Sequence, residues 1–337
     1  MIKILHLVKN KTKSANQIYL RAKQLENLCR SRVYDQGVAP WVNWSTELYS
    51  YGKCLREIAQ FPKIFPIFAA SDHGVNYDLF FDKYAIDSQL PLYFTSNQLR
   101  QKRLQSLTKS KVIYIQHPMV QWRKIFTTKS SELGSLIFFP HSNHHSLPVS
   151  VPDFISEVNK IDSNYMPFTI MLHMHDVIAG AHIELLNLGF NVVTAGNTSS
   201  TKFAQRFYEL LESHKYVFSF GLGSQVFYSL EAGKKLILLP LLNQKTTTDG
   251  LFGAGYFSDM PLDSESRPEF KKFCSNLMNS SSSNQNEIKN FVASKLGLDS
   301  KYTTDELRHD LYSAMKQSRR KIIYLYSGAI SQSIRKF

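Results

Sequence analysis

Short runs of consecutive apolar residues alternate along this chain with longer segments whose apolar positions recur every three or four residues. The short runs read as strands buried on both faces and the longer segments as amphipathic helices, so their alternation predicts parallel sheets covered by helices. In the first part the predicted strands are 1–10, Phe65–Ala70, Leu92–Thr95 and Val112–Ile115, with helices over Ser14–Arg30 and Gln98–Leu107. Residues 123–134 are polar and lack periodicity, as an interdomain linker would. A second series follows, with strands at Ser135–Phe139, Phe168–Leu172, Asn191–Thr194, Tyr216–Phe220 and Leu236–Leu239. Its helices are predicted over Asp153–Lys160, Ala179–Leu188, Lys202–His214 and Gln225–Ala232. The expected fold class is therefore α/β, with Rossmann-like domains over 1–130 and 131–262. A helical tail over 263–337 is expected to pack back on the first domain.

The chemistry-bearing residues fall where these strands end. Phe65–Ala70 runs into Ser71-Asp72-His73-Gly74, and Val112–Ile115 into Gln116-His117-Pro118. In the second series the exits are Pro140-His141-Ser142-Asn143-His144-His145, His173-Met174-His175-Asp176, Ala195-Gly196-Asn197 and Ser219-Phe220-Gly221-Leu222-Gly223-Ser224. Parallel sheets gather such exits on one edge, where α/β proteins bind ligands. The stretch from Tyr216 to Pro240 carries the most: a strand, a Gly/Ser turn and a helix N-terminus, whose backbone N–H groups suit an anion. Glu231 stands late on that helix, where a carboxylate opposes the helix dipole and a role other than helix stability is suggested. An ordinary βαβ turn would carry the same glycines, and a capped turn the same Asp72.

Charge narrows the partner. The chain has 337 residues, a formal net charge of +13 and only three cysteines, Cys29, Cys54 and Cys274. That balance implies an anionic partner: a phosphorylated or carboxylated small molecule, or an anionic membrane surface touched peripherally by the basic tail around Arg319, Arg320 and Lys321. No nucleic-acid module pattern is visible, so no nucleic-acid partner is expected. The cysteines are too few and scattered for a disulfide framework, and no apolar run is long enough to span a bilayer. The expected location is cytoplasmic, with peripheral attachment to the inner face of the plasma membrane as its variant.

Over residues 65–240 the order of the motifs DHG (Asp72 to Gly74), QHP (Gln116 to Pro118), GSLIFFPHSNHH (Gly134 to His145) and SFGLGSQVFYSLEAG (Ser219 to Gly233) resembles GT-B glycosyltransferases of bacterial capsule and O-antigen loci. It is similar, more distantly, to transferases that use CMP-linked nonulosonates of the Kdo, sialic and pseudaminic types, and to teichoic-acid polymerases. The resemblance implies two Rossmann-like domains facing a central cleft, and metal-independent, inverting transfer from a CMP-sugar to a saccharide or lipid-linked saccharide acceptor. It implies no cofactor beyond the nucleotide-sugar donor. His117, His141, Ser142, His144, His145, Gly196, Ser219, Gly221, Gly223, Ser224 and Glu231 would hold that donor, with Glu231 on the ribose. The general base would be His73 or Asp72, with Asp176 a further candidate.

Other readings stay open. A UDP- or GDP-hexose donor would use the same fold. A metal-dependent hydrolase would draw its ligands from His141, His144 and His145 with His173, His175 and Asp176. A non-catalytic polysaccharide-assembly protein needs none of this chemistry.

Overall fold

The computed structural model describes residues 14–30, 33–77, 79, 81, 83–126, 132–141, 149–239, 242, 267–279 and 284–321. The expected strand at 1–10, the candidates Ser142, His144 and His145, and residues 127–131 of the expected linker lie outside these residues. The chain divides into two compact units: 1–31, 128–198 and 205–261 form one, while 32–127, 199–204 and 262–337 form the other.

The first unit holds a five-stranded parallel sheet in the order β6-β5-β4-β7-β8. The strands are β4 Ser135–Phe138, β5 Phe168–Met171, β6 Asn191–Val193, β7 Tyr216–Ser219 and β8 Lys235–Leu238. All pairings are parallel, including Ser135↔Phe168 and Ser135↔Tyr216 on the two sides of β4. β4 and β5 are buried along their whole length, as their unbroken apolar runs require. The chain leaves β4 to one side through β5 and β6, then returns through the helix Phe203–Glu212 to place β7 and β8 on the other side. The sheet order therefore reverses between β4 and β7, the position where doubly wound sheets open a ligand crevice.

The boundary expected at residue 130 is corrected at the N-terminal end. Helix α1, Ala15–Cys29, belongs to the five-stranded unit. Ser14 and Gln17 close its N-terminus as a capping box, which fixes where it starts. Its Ala22, Leu25 and Cys29 enter a core with Ile137, Phe154, Ile170 and Val192. At its other end Asn197 bonds the last carbonyls of α1, N to Leu28 O at 2.9 Å and Nδ2 to Cys29 O at 2.8 Å. Long-range packing of this kind leaves no trace in local periodicity.

The second unit is built on a three-stranded parallel sheet, β1 Ala69–Ser71, β2 Leu92–Thr95 and β3 Lys111–Tyr114, in that order. The segment after residue 262 belongs to this unit. Helix Gln285–Leu296 is fastened to it by Ser96 Oγ donating to Lys295 O at 2.8 Å and His117 N donating to Leu296 O at 2.9 Å. Helix Thr304–Gln317 is held by Lys111 on Asp310 at 2.6 Å and Arg308 Nε on Ala59 O at 2.7 Å. Residues 123–126 are helical, within Pro118–Phe126, so the linker expected over 123–134 starts too early. Pro118 opens that helix, a position where its missing N–H costs nothing.

Candidate functional site

The exits of β4 and β7 line one cavity of about 60 Å³, formed by Phe138 to His141, Ser219 to Gly221, Gly223, Gln225 and Leu242. It lies at the reversal of strand order. Ser219 ends β7 buried, and its hydroxyl donates to Gly221 O at 2.8 Å. Gly223 precedes helix Ser224–Glu231 and brings no side-chain cap to its N-terminus. The room beside Gly223 is filled by Gln225, whose Oε1 would lie 2.2 Å from a Cβ at this glycine. The Gln225 amide donates back to Ser219 Oγ at 3.3 Å, closing the turn. Gln225 is thus a cavity residue that motif reasoning passed over, because a glutamine in a helix's first turn carries no pattern of its own. Glu231 is half-buried at the far end of the helix, about 10 Å along the axis from Ser224.

Beside this cavity the β5 exit adds two imidazoles. The His141 and His173 rings are 5.1 Å apart, and His173 and His175 are 5.0 Å apart. His173 also caps the short helix Met174–Ile178 by accepting from His175 N at 3.4 Å. Asp176 sits in that helix with 0 % exposure, so its carboxylate has no access to an incoming hydroxyl and the base assignment to Asp176 is withdrawn. Among the described residues no group of three His, Cys, Asp or Glu side chains is arranged to hold a metal.

Gly196 serves the fold. Its φ of +87° excludes most side chains, and a Cβ there would meet Leu28 O at 2.7 Å. Its N–H is taken by Thr194 Oγ1 at 3.0 Å, so the expected donor contact at Gly196 is replaced by the docking of α1.

In the three-stranded unit, Asp72 is buried beneath its turn. It accepts from Tyr93 Oη at 3.1 Å and Thr95 Oγ1 at 2.5 Å, and from Arg100 Nε at 3.2 Å and Nη2 at 2.9 Å. A carboxylate held by four donors is occupied with structure, which removes Asp72 as the base. His117 is corrected as well. It is 0 % exposed, so it cannot touch a nucleotide. Burial pushes its pKa down to about 3, opposed in part by the charge of Asp72 and by its bond to the Gly74 backbone. His117 therefore supports the Asp72–Gly74 turn from below.

His73 alone of that turn faces outward. Its ring lies 5.1 Å from Trp44, edge-on, and 5.0 Å from Tyr49. Desolvation by the surrounding groups pushes its pKa down to about 4. The imidazole is therefore neutral near pH 7, the state a base requires.

No family model matches this chain, and no curated protein matches it. Solved structures similar to it include a TarM variant from S. aureus in complex with fondaparinux, alpha-GlcNAc-glycerol and UDP. That pair shares 15% identity over 74% of this chain and 50% of the other, with a TM-score of 0.30. TarM itself gives 15% identity over 79% and 51%, with a TM-score of 0.26. The chain thus spans about half the length of these proteins. At such low overlap the fold assignment rests on this chain's own sheets: it is an α/β protein of two units, each built on a parallel sheet.

Proposed function

We propose that this protein is a GT-B-type glycosyltransferase whose five-stranded unit binds the phosphate of a nucleotide-sugar donor. One observation carries the reading: the cavity at the β4/β7 reversal is lined by a Gly/Ser turn that leads directly into a helix N-terminus. Backbone N–H groups and the positive end of a helix dipole stabilise anionic oxygen there without a metal. Two parallel α/β units in one chain are the organisation of GT-B enzymes, and the net charge of +13 suits an anionic donor.

In this reading Gly221, Gly223 and Ser224 hold the leaving phosphate, with Gln225 positioning Ser219 and His141 at the rim. As the glycosidic bond to phosphate breaks, negative charge grows on the departing oxygens, and fixed N–H dipoles stabilise it most at that moment. In the three-stranded unit we assign His73 as the base that takes the proton from the acceptor hydroxyl. The donor we favour is a CMP-linked nonulosonate, whose carboxylate adds a second anionic group, and the acceptor is a saccharide of a bacterial surface polymer. The motif order at Asp72 to Gly74, Gly134 to His145 and Ser219 to Gly233 supports that choice.

Calorimetric titration with CMP, CDP, UDP and GDP, with and without EDTA, tests it. EDTA-insensitive binding with CMP preferred is the expected result. A preference for UDP or GDP overturns the donor, and no binding overturns the transferase.

A further inference from the structure

The short helix Trp44–Glu47 is fastened to the edge strand β1. Thr46 Oγ1 donates to Ala69 O at 2.7 Å, Ser71 N donates to Ser45 Oγ at 3.1 Å, and Ser71 Oγ donates to Ser45 O at 2.9 Å. Asn43 caps it, accepting from Ser45 N at 2.9 Å. Its far end is locked by Glu47, which meets Arg56 in a buried bidentate pair at 2.7 and 2.9 Å. Gly52 makes room for this pair, since a Cβ there would lie 2.0 Å from Glu47 Oε2.

After Leu48, Tyr49 and Ser50 both take left-handed backbone conformations, with φ of 56° and 64°. For a tyrosine this is strained, and the strain persists only where surrounding bonds hold it. Ser50 Oγ supplies them, donating to Ser200 O at 2.8 Å and accepting from Ala204 N at 3.1 Å. The consequence is a fixed trio of rings at the end of β1: Trp44, Tyr49 and His73. Tyr49 is backed by Phe203 at 5.0 Å, while Trp44 keeps 50% of its surface exposed.

We propose that Trp44, braced by His73, which Tyr49 packs against in turn, is a stacking platform for a pyranose ring of the saccharide acceptor. A pyranose presents a face of C–H bonds that is apolar and slightly positive, matching the negative face of an indole. The hydroxyls at its rim stay polar and need a hydrogen-bonding neighbour, which the imidazole of His73 provides. A protein partner would need a contiguous patch near 800 Å². One indole beside one imidazole offers the area of a single sugar. The acceptor role rests on the transferase reading above, but saccharide stacking does not.

The test is calorimetric titration of the full chain with the methyl glycosides of galactose, N-acetylglucosamine and N-acetylneuraminic acid, and with lactose and chitobiose. A stacking surface reads the ring face more than the linkage, so at least one of these binds in the millimolar range. Affinity falls about tenfold or more in Trp44→Ala and stays within about threefold in Trp44→Phe. The same variants are titrated with nucleotide, whose binding in the five-stranded unit is unchanged. Absence of binding by every saccharide, or equal affinity in Trp44→Ala with its thermal midpoint preserved, overturns the platform. Trp44-dependent saccharide binding in a protein that binds no nucleotide keeps the platform and sinks the transferase.

Discussion

Arg100 grips both carboxylate oxygens of Asp72, through Nη2 at 2.9 Å and Nε at 3.2 Å, with both partners about 95% or more buried. The pair separates the roles of two adjacent residues: Asp72 anchors the turn, while His73 is exposed and is the proposed base. Breaking a buried pair leaves an uncompensated charge, typically costing about 3–5 kcal/mol. Asp72→Asn, which strands Arg100, is expected to lower unfolding free energy by about that much in denaturant titration. His73→Ala is expected to leave stability within about 1 kcal/mol, because the side chain is exposed. It should cut turnover by about a hundredfold or more with nucleotide affinity intact. The reverse pattern would return the base to Asp72.

His117 makes stability depend on pH. Its folded pKa of about 3 lies below the ordinary value of 6.5, so between those limits the unfolded chain binds a proton that the folded chain refuses. The stabilisation is complete above pH 6.5 and is lost as pH falls toward 3. The slope contributed is at most about 1.4 kcal/mol per pH unit. His117→Gln keeps a donor for Gly74 without the titration, and its stability–pH curve should be shallower across this window. Parallel curves would refute the assignment.

Gly196→Ala probes the docking of α1. The substitution places a Cβ 2.7 Å from Leu28 O at a φ of +87°, so strain and contact act together. A loss of about 1–3 kcal/mol is expected, read as a lower thermal midpoint. Limited proteolysis should then cut within 15–29 sooner than in the parent protein.

Most strands were legible because each is a short, largely apolar run: Leu92–Thr95 and the starts of the strands at Ser135, Phe168, Asn191 and Tyr216 agree with the structure, whereas the strand expected over Phe65–Ala70 is displaced to Ala69–Ser71. The gathering of chemistry-bearing turns on one sheet edge was legible for the same reason. Three things were not. α1 reads as an ordinary amphipathic helix after the first strand, and only Leu25, Asn197 and Gly196 together show which sheet it serves. His117 reads as a polar turn residue, yet the chain after Gln285 covers it from a distance no local pattern encodes. Trp44 and Tyr49 lie in a four-residue helix and a strained turn, too short for periodicity and built on bonds to β1 and to Ser200.

The most direct measurement is calorimetric nucleotide titration of Gly223→Ala beside the parent protein. At this glycine φ is −94°, so alanine is tolerated by the backbone, but its Cβ would displace Gln225 from the cavity and from Ser219. Stability should change by less than about 1 kcal/mol. If the anion site lies at the β4/β7 reversal, the parent binds nucleotide without metal and the variant loses about tenfold or more in affinity. Equal nucleotide affinity in the two proteins would contradict that placement and, with it, the central claim.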